Sequence, residues 1–343
     1  MTPLVLSGSP QGCSRRAPFD FATLRSGRAR GKSINNILDT DRPAEQRPLL
    51  AISLRLLTAV LLALMFAGVK LAAEHGVHVV ESLFYRQIGS ALCAAALVAV
   101  GPGFGSLRTR RIGAHVGRMA LGVTAMGLNF LAVALLPLAE ATAIGFTVPI
   151  FSTVLAAVVL GEPTGKWRWG AVAAGFVGVL LIVQPGSGEV PLLGASIAIV
   201  AALLTASVTI VIRRLGATER ASTTVFWFAV SSLVPLGLLM LHFGKAHDAG
   251  TWVILAGMAL AGGMAQLTLT GALRLAPVAL VMPMDYTSLL WATLLGLWLF
   301  AELPTPWVWV GAPVIIGSGL VIVWREHRLA RRAALSAPAA TPT

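Results

Sequence analysis

The chain has 343 residues, of which 56% are hydrophobic and 12% charged, with a mean hydropathy of +0.81. A soluble domain carries about a quarter charged residues, so this composition excludes a disordered chain and argues against a soluble enzyme. The net charge of +12 and a pI near 11.3 read as positive-inside charge on a membrane protein, not as a nucleic-acid footprint.

Residues 1–48 come first. They are rich in Arg, Ser, Gly and Pro, and 12 of the 40 charged side chains fall within the first 47 positions. No apolar stretch long enough for a signal peptide precedes Leu49, so the segment reads as a disordered basic cytoplasmic tail or an over-extended start. Apolar runs then follow at roughly 54–73, 83–101, 118–136, 141–160, 168–184, 192–212, 221–242, 251–274, 278–299 and 306–324. About 20 helical residues cross a bilayer, and the runs are continuously apolar, not alternating. The chain is therefore expected to be an all-α membrane protein with ten transmembrane helices, closed by a cytoplasmic tail at 325–343.

Charge sets the expected orientation. With the N-terminus inside, 23 of the 26 Lys and Arg fall on the cytoplasmic side, among them Arg55, Arg118 and Arg274. Only Lys70, Arg86 and Lys245 fall towards the outside. Both termini are thus expected in the cytoplasm.

The ten runs repeat as five plus five. Gly161-Glu162 ends the fourth and Ala301-Glu302 the ninth; five residues on, Trp167-Arg168-Trp169 and Trp307-Val308-Trp309 open the next helix. Gly170 and Gly178 match Gly311 and Gly319, and Pro137 and Pro277 each lie 25 residues before the glutamate. Five crossings per copy turn the second copy over, and the basic residues flanking equivalent loops swap sides accordingly. Inverted repeats enclosing a midplane site are a secondary-transporter architecture.

On these residues the sequence resembles the paired EamA domains of the drug/metabolite transporter superfamily, with repeats over 54–184 and 192–324. Lys70 and Arg86 match that family's recurring Lys and Arg in the first two helices. The run Pro283-Met284-Asp285-Tyr286-Thr287-Ser288 is most similar to bacterial members that include riboflavin importers and metallophore exporters. The resemblance implies a bacterial inner-membrane permease. Ala301 departs from the family, which usually has Gly before this Glu, and the first repeat is two residues short between Ala134 and Glu162.

Candidate working residues are the polar groups inside the runs. Asp285 lies about 10 Å into the ninth helix, beside Pro283, which frees the carbonyl of Ala279. It suits a proton-coupling group, a cation-binding wall, or a packing carboxylate. Lys70 and Arg86 either draw in an anionic or zwitterionic substrate or snorkel and pair with Glu74 and Glu81. Asn129 and Gln266 line a polar cavity or bond between helices. Pro149 frees the Gly145 carbonyl and interrupts the fourth helix. Tyr286 and Trp291 form an aromatic wall or ordinary packing. Glu162 and Glu302 serve as caps or gates.

Little suggests other chemistry. Cys13 and Cys93 have no partner spacing, and His75, His78, His242, His247 and Asp248 read as solvated loop groups more than as metal ligands. No metal or cofactor is expected. There is no Walker motif, HExxH, Ser/His/Asp set or carboxylate pair. The expected function is secondary active transport of a small organic metabolite by alternating access, with export ahead of uptake of a vitamin-like compound such as riboflavin. A membrane-embedded enzyme is the remote alternative.

Overall fold

Apolar residues surround most of these segments on every side, so inside a bilayer their backbone groups must bond within the segment, and helix is the only open-ended solution. The computed structural model describes residues 47–100, 103–109, 111–159, 165–185, 190–215, 221–276 and 278–336. Among them there is no strand. The helices are α1 (Pro48–Glu74), α2 (Val79–Val100), α3 (Ile112–Leu135), α4 (Leu138–Gly145), α5 (Val148–Val159) and α6 (Lys166–Val183). The second half holds α7 (Leu192–Leu215), α8 (Ala221–Phe243), α9 (Ala249–Leu275), α10 (Val278–Val281), α11 (Thr287–Phe300) and α12 (Pro306–Ser336). Tight 3-10 turns occupy Phe104–Leu107 and Met282–Tyr286. The tail 1–46, Gly161, Glu162, Pro277 and residues 337–343 lie outside the described residues, as do the expectations attached to them.

Two of the ten expected spans are not single rods. The fourth run divides into α4 and α5 around Phe146 and Thr147, just ahead of Pro149. The ninth divides into α10, the 3-10 turn with Pro283 in its first positions, and α11. Proline removes a donor from the ladder and crowds the preceding turn. Nine stretches among the described residues are long and apolar enough to cross a membrane, counting Leu138–Val159 across its break. The ninth run, divided into α10, the 3-10 turn and α11, is not among them. Other boundaries also move. Helix α1 starts at Pro48, whose fixed φ favours a first-turn position, and α12 continues to Ser336, past the end of the apolar run.

Packing follows the repeat. Helix α1 lies along α9 as its equivalent α7 lies along α3, α2 faces its own counterpart α8, and α6 faces its counterpart α12. Lipid offers no hydrophobic drive between helices, so close contact through small residues holds them. Alanines 51, 59, 63, 67, 72, 195, 201, 206 and 312 are almost fully buried. At the α6–α12 seam a methyl on Gly178 would lie 2.9 Å from the Gly311 carbonyl oxygen, and one on Gly311 2.6 Å from that of Gly178. Large apolar side chains face outward instead, with Trp298 82% and Leu241 86% exposed, as a lipid-facing surface requires.

Candidate functional site

The two broken segments meet each other. Phe146 and Tyr286 are 140 positions apart, the offset of the repeat, and their rings contact edge-to-face at 5.1 Å between centroids. The hydroxyls one residue on behave alike: Thr147 Oγ1 donates to the Ile144 carbonyl and Thr287 Oγ1 to the Met284 carbonyl, each at 2.7 Å. Each hydroxyl thus bonds a carbonyl of the turn that precedes it.

Beside this junction lies a cavity of about 500 Å³, walled by α1–α5, α7–α9 and the broken ninth segment. Its walls are mostly apolar, with Phe66, Phe130, Phe146 and Phe228 among them. Of the residues expected from sequence, Asp285, Arg86, Asn129 and Gln266 line it. Asp285 faces in from the 3-10 turn, and its Oδ2 accepts from Arg55 Nη2. Asn129 Nδ2 donates to the Ala125 carbonyl at 2.8 Å and to Thr205 Oγ1 at 3.2 Å, joining α3 to α7. The equivalent pair, α1 and α9, is joined by Thr58 and Thr268 hydroxyls 2.8 Å apart.

Arg86 is aimed by a chain of buried polar groups. Its Nη1 donates to Gln87 Oε1, Gln87 Nε2 donates to Ser232 Oγ at 2.5 Å, and Ser232 Oγ donates to the Ala229 carbonyl at 2.8 Å. Arg118 lies with its guanidinium carbon 4.1 Å from the centre of the Phe228 ring, a cation–π contact. Arg55, Arg86 and Arg118 are 6%, 6% and 8% exposed.

Lys70 is placed elsewhere. It sits at the bundle end away from Pro48, hereafter the distal end, where its Nζ donates to both Glu302 carboxylate oxygens at 2.5 and 2.7 Å and to the Leu136 carbonyl at 2.8 Å. It therefore pairs with Glu302, not with Glu74 or Glu81, and does not line the cavity. Glu302 is brought there by the end of α11. Ala301 adopts a left-handed φ of 52°, and the N–H groups of Ala301 and Glu302 both return to the Gly296 carbonyl. Nearby, the fully buried Glu140 accepts from the Thr305 N–H at 2.9 Å. Glu81, also fully buried, bonds His247 Nε2 at 2.7 Å instead of a cation on α1 or α2.

Tyr286 and Trp291 do not line the cavity. Tyr286 packs on Phe146 and reaches α12 at Gly319, where a methyl would stand 2.3 Å from its hydroxyl. Pro149 and Pro283 act through the backbone breaks beside them. His75 Nδ1 pairs with the Leu71 carbonyl, and His78 stacks on Phe243 at 4.1 Å. Among the described residues no group of three His, Cys, Asp or Glu gathers as a metal site would.

Sequence reasoning missed Arg55 and Arg118 by assigning both to the cytoplasmic margin. Helix length contained the signal. Arg55 is the eighth residue of α1 and Arg118 the seventh of α3, which places each about 10 Å inside its helix.

The sequence profile of the EamA-like transporter family matches residues 49–184 and again 192–324. A riboflavin transporter of Rhizobium johnstonii is 33% identical over 236 residues, covering 68% of this chain and 77% of its own. One from Vibrio cholerae is 28% identical over 230 residues, covering 66% and 76%. The pseudopaline exporter CntI of Pseudomonas aeruginosa is 27% identical over 207 residues, covering 60% and 70%. A solved crystal structure, 19% identical, superposes with a TM-score of 0.56 over 81% of this chain and 98% of its own; at that identity the likeness is one of fold.

Proposed function

The chain belongs to the EamA-like transporter family, and from that premise we propose that it is a secondary carrier moving a small organic metabolite across the bacterial inner membrane by alternating access. Both termini lie in the cytoplasm in this reading, following the distribution of Lys and Arg. The observation that supports it most is the Arg55–Asp285 ion pair, set on a broken helix and facing an apolar cavity. Ionised groups at such depth are costly and mark transport pathways. Protonation of Asp285 releases Arg55 and loosens α1 from the ninth segment, which couples proton movement to a change of access.

Export is the primary direction. Uptake of a vitamin-like compound such as riboflavin is the second reading, favoured by the similarity to the two riboflavin transporters. The test is flux of a labelled metabolite panel, riboflavin included, in cells making wild type or Asp285→Asn, with and without a protonophore. Lower internal levels that depend on the gradient and on Asp285 support export. Accumulation with the same dependence supports uptake. Flux unaffected by Asp285→Asn and by the protonophore refutes the coupling role, and no flux with the protein verified in the membrane refutes the carrier.

A further inference from the structure

Among the described residues, the cavity lining carries more positive than negative charge. Three arginines line it against one carboxylate, Asp285, which is engaged by Arg55. Arg86 and Arg118 remain. They are buried, and among the described residues the Nε of Arg86 and the Nε and Nη1 of Arg118 have no hydrogen-bond partner. Arg86 has one protein acceptor, the Gln87 amide oxygen, and Arg118 a ring face. Both partners orient a guanidinium; neither supplies a negative charge. Two neighbouring cations in a low-dielectric cavity are unfavourable until an anion joins them.

Space around the two is kept clear by glycines 140 positions apart. A methyl on Gly262 would lie 3.3 Å from Arg86 Cγ, and one on Gly122 2.7 Å from Phe228 Cε2, the ring beneath Arg118. Phe66, Phe130 and Phe146 also line the cavity. We infer that the substrate is a small organic anion whose carboxylate or phosphate is held between Arg86 and Arg118 while a ring-sized apolar body rests against the aromatic wall. The inference rests on the carrier reading and names the substrate class for it. Guanidinium forks match planar or tetrahedral oxyanions two bonds at a time. A neutral compound such as riboflavin fills the volume but leaves both arginines unmatched, whereas its phosphate ester meets them.

The test uses the purified full-length chain in mild detergent, with unfolding followed by tryptophan fluorescence. The probes are matched pairs: benzoate with benzamide, flavin mononucleotide with riboflavin, and inorganic phosphate alone. At saturation the anionic member is expected to raise the unfolding midpoint by about 5 °C while the neutral member does not. Arg118→Gln and Arg86→Gln should each weaken that effect at least tenfold. The melting transition of each variant shows whether it is folded, and Arg118→Lys, which retains charge without the fork, should fall between.

A response to benzoate alone assigns a carboxylate, and one to phosphate and flavin mononucleotide alone assigns a phosphate. Equal responses to neutral and anionic partners overturn the inference. So does silence from all three anions, or an anion response that survives both glutamine variants. Anion binding without flux of any metabolite defeats the carrier reading and leaves the site standing, while flux of a neutral metabolite with no anion response defeats the site alone.

Discussion

The Lys70–Glu302 contact gives an asymmetry that can be measured. The lysine side chain is 7% exposed and the glutamate 29%. Lys70→Met deprives the Leu136 carbonyl of its donor, costing about 1 kcal/mol. It also leaves a carboxylate that can turn to water, adding about 1 kcal/mol. Glu302→Leu leaves a buried ammonium with Leu136 O as its remaining hydrogen-bond acceptor, at about 3–5 kcal/mol. Lys70→Met with Glu302→Leu leaves neither charge and should cost about 1–2 kcal/mol. The coupling between the sites is then about 3–6 kcal/mol, well beyond the additivity expected of independent positions. A double-mutant cycle of unfolding in detergent, read from the nine tryptophans, measures all three costs. Because neither residue lines the cavity, the double variant should keep its flux. Costs that add within about 0.5 kcal/mol, or a lysine variant worse than the glutamate variant, would refute the reasoning.

Two further outcomes follow from the same end of the molecule. Ala301→Gly should stabilise the chain by about 1 kcal/mol, because a left-handed φ of 52° strains alanine and not glycine; a lower unfolding midpoint would contradict this. Asp248 caps α9, accepting from the Thr251 hydroxyl at 2.5 Å and from the N–H groups of Gly250 and Thr251, and the Thr251 hydroxyl foremost holds its carboxyl below the usual aspartate range. Since the folded state favours the ionised form, the contribution is full above about pH 4 and fades as the pH falls further. Asp248→Asn should lower the midpoint at pH 7 and narrow its gap from wild type towards pH 3, and a gap that does not change with pH would count against the cap.

Much of the fold was legible because lipid imposes simple rules on sequence. The number of apolar runs, their helical character and the duplication need only length, hydropathy and recurring residues. Asp285, Asn129, Arg86 and Gln266 were legible as candidates because a polar group inside an apolar run must find a cavity or a partner, but which of the two each finds was not. Arg55 and Arg118 were not, since an arginine near the end of an apolar run looks the same whether it leaves the membrane or turns inward. The starts of α1 and α3 decide that, and Pro48 and Ile112 lie outside the runs as drawn from hydropathy. Lys70 shows the converse. Its partner Glu302 lies 232 positions away, and only the folded repeat brings the two together. The role of Ala301 is intermediate: its departure from the family's glycine was visible, but its left-handed backbone became visible only in three dimensions.

The contact between Phe146 and Tyr286 bears on how such a molecule moves. A residue that touches its own repeat equivalent stands on the axis relating the two halves. Under the alternating-access cycle proposed above, with one repeat rocking against the other, points on that axis move least while the flanks swing. The two rings are then a fulcrum, and Asp285, the neighbour of Tyr286 in sequence and the partner of Arg55, lies on a short arm of the lever. A small displacement there corresponds to a large one at Lys70 and Glu302, so movement of the charge near the pivot is amplified at the distant rim at the cost of a correspondingly larger force.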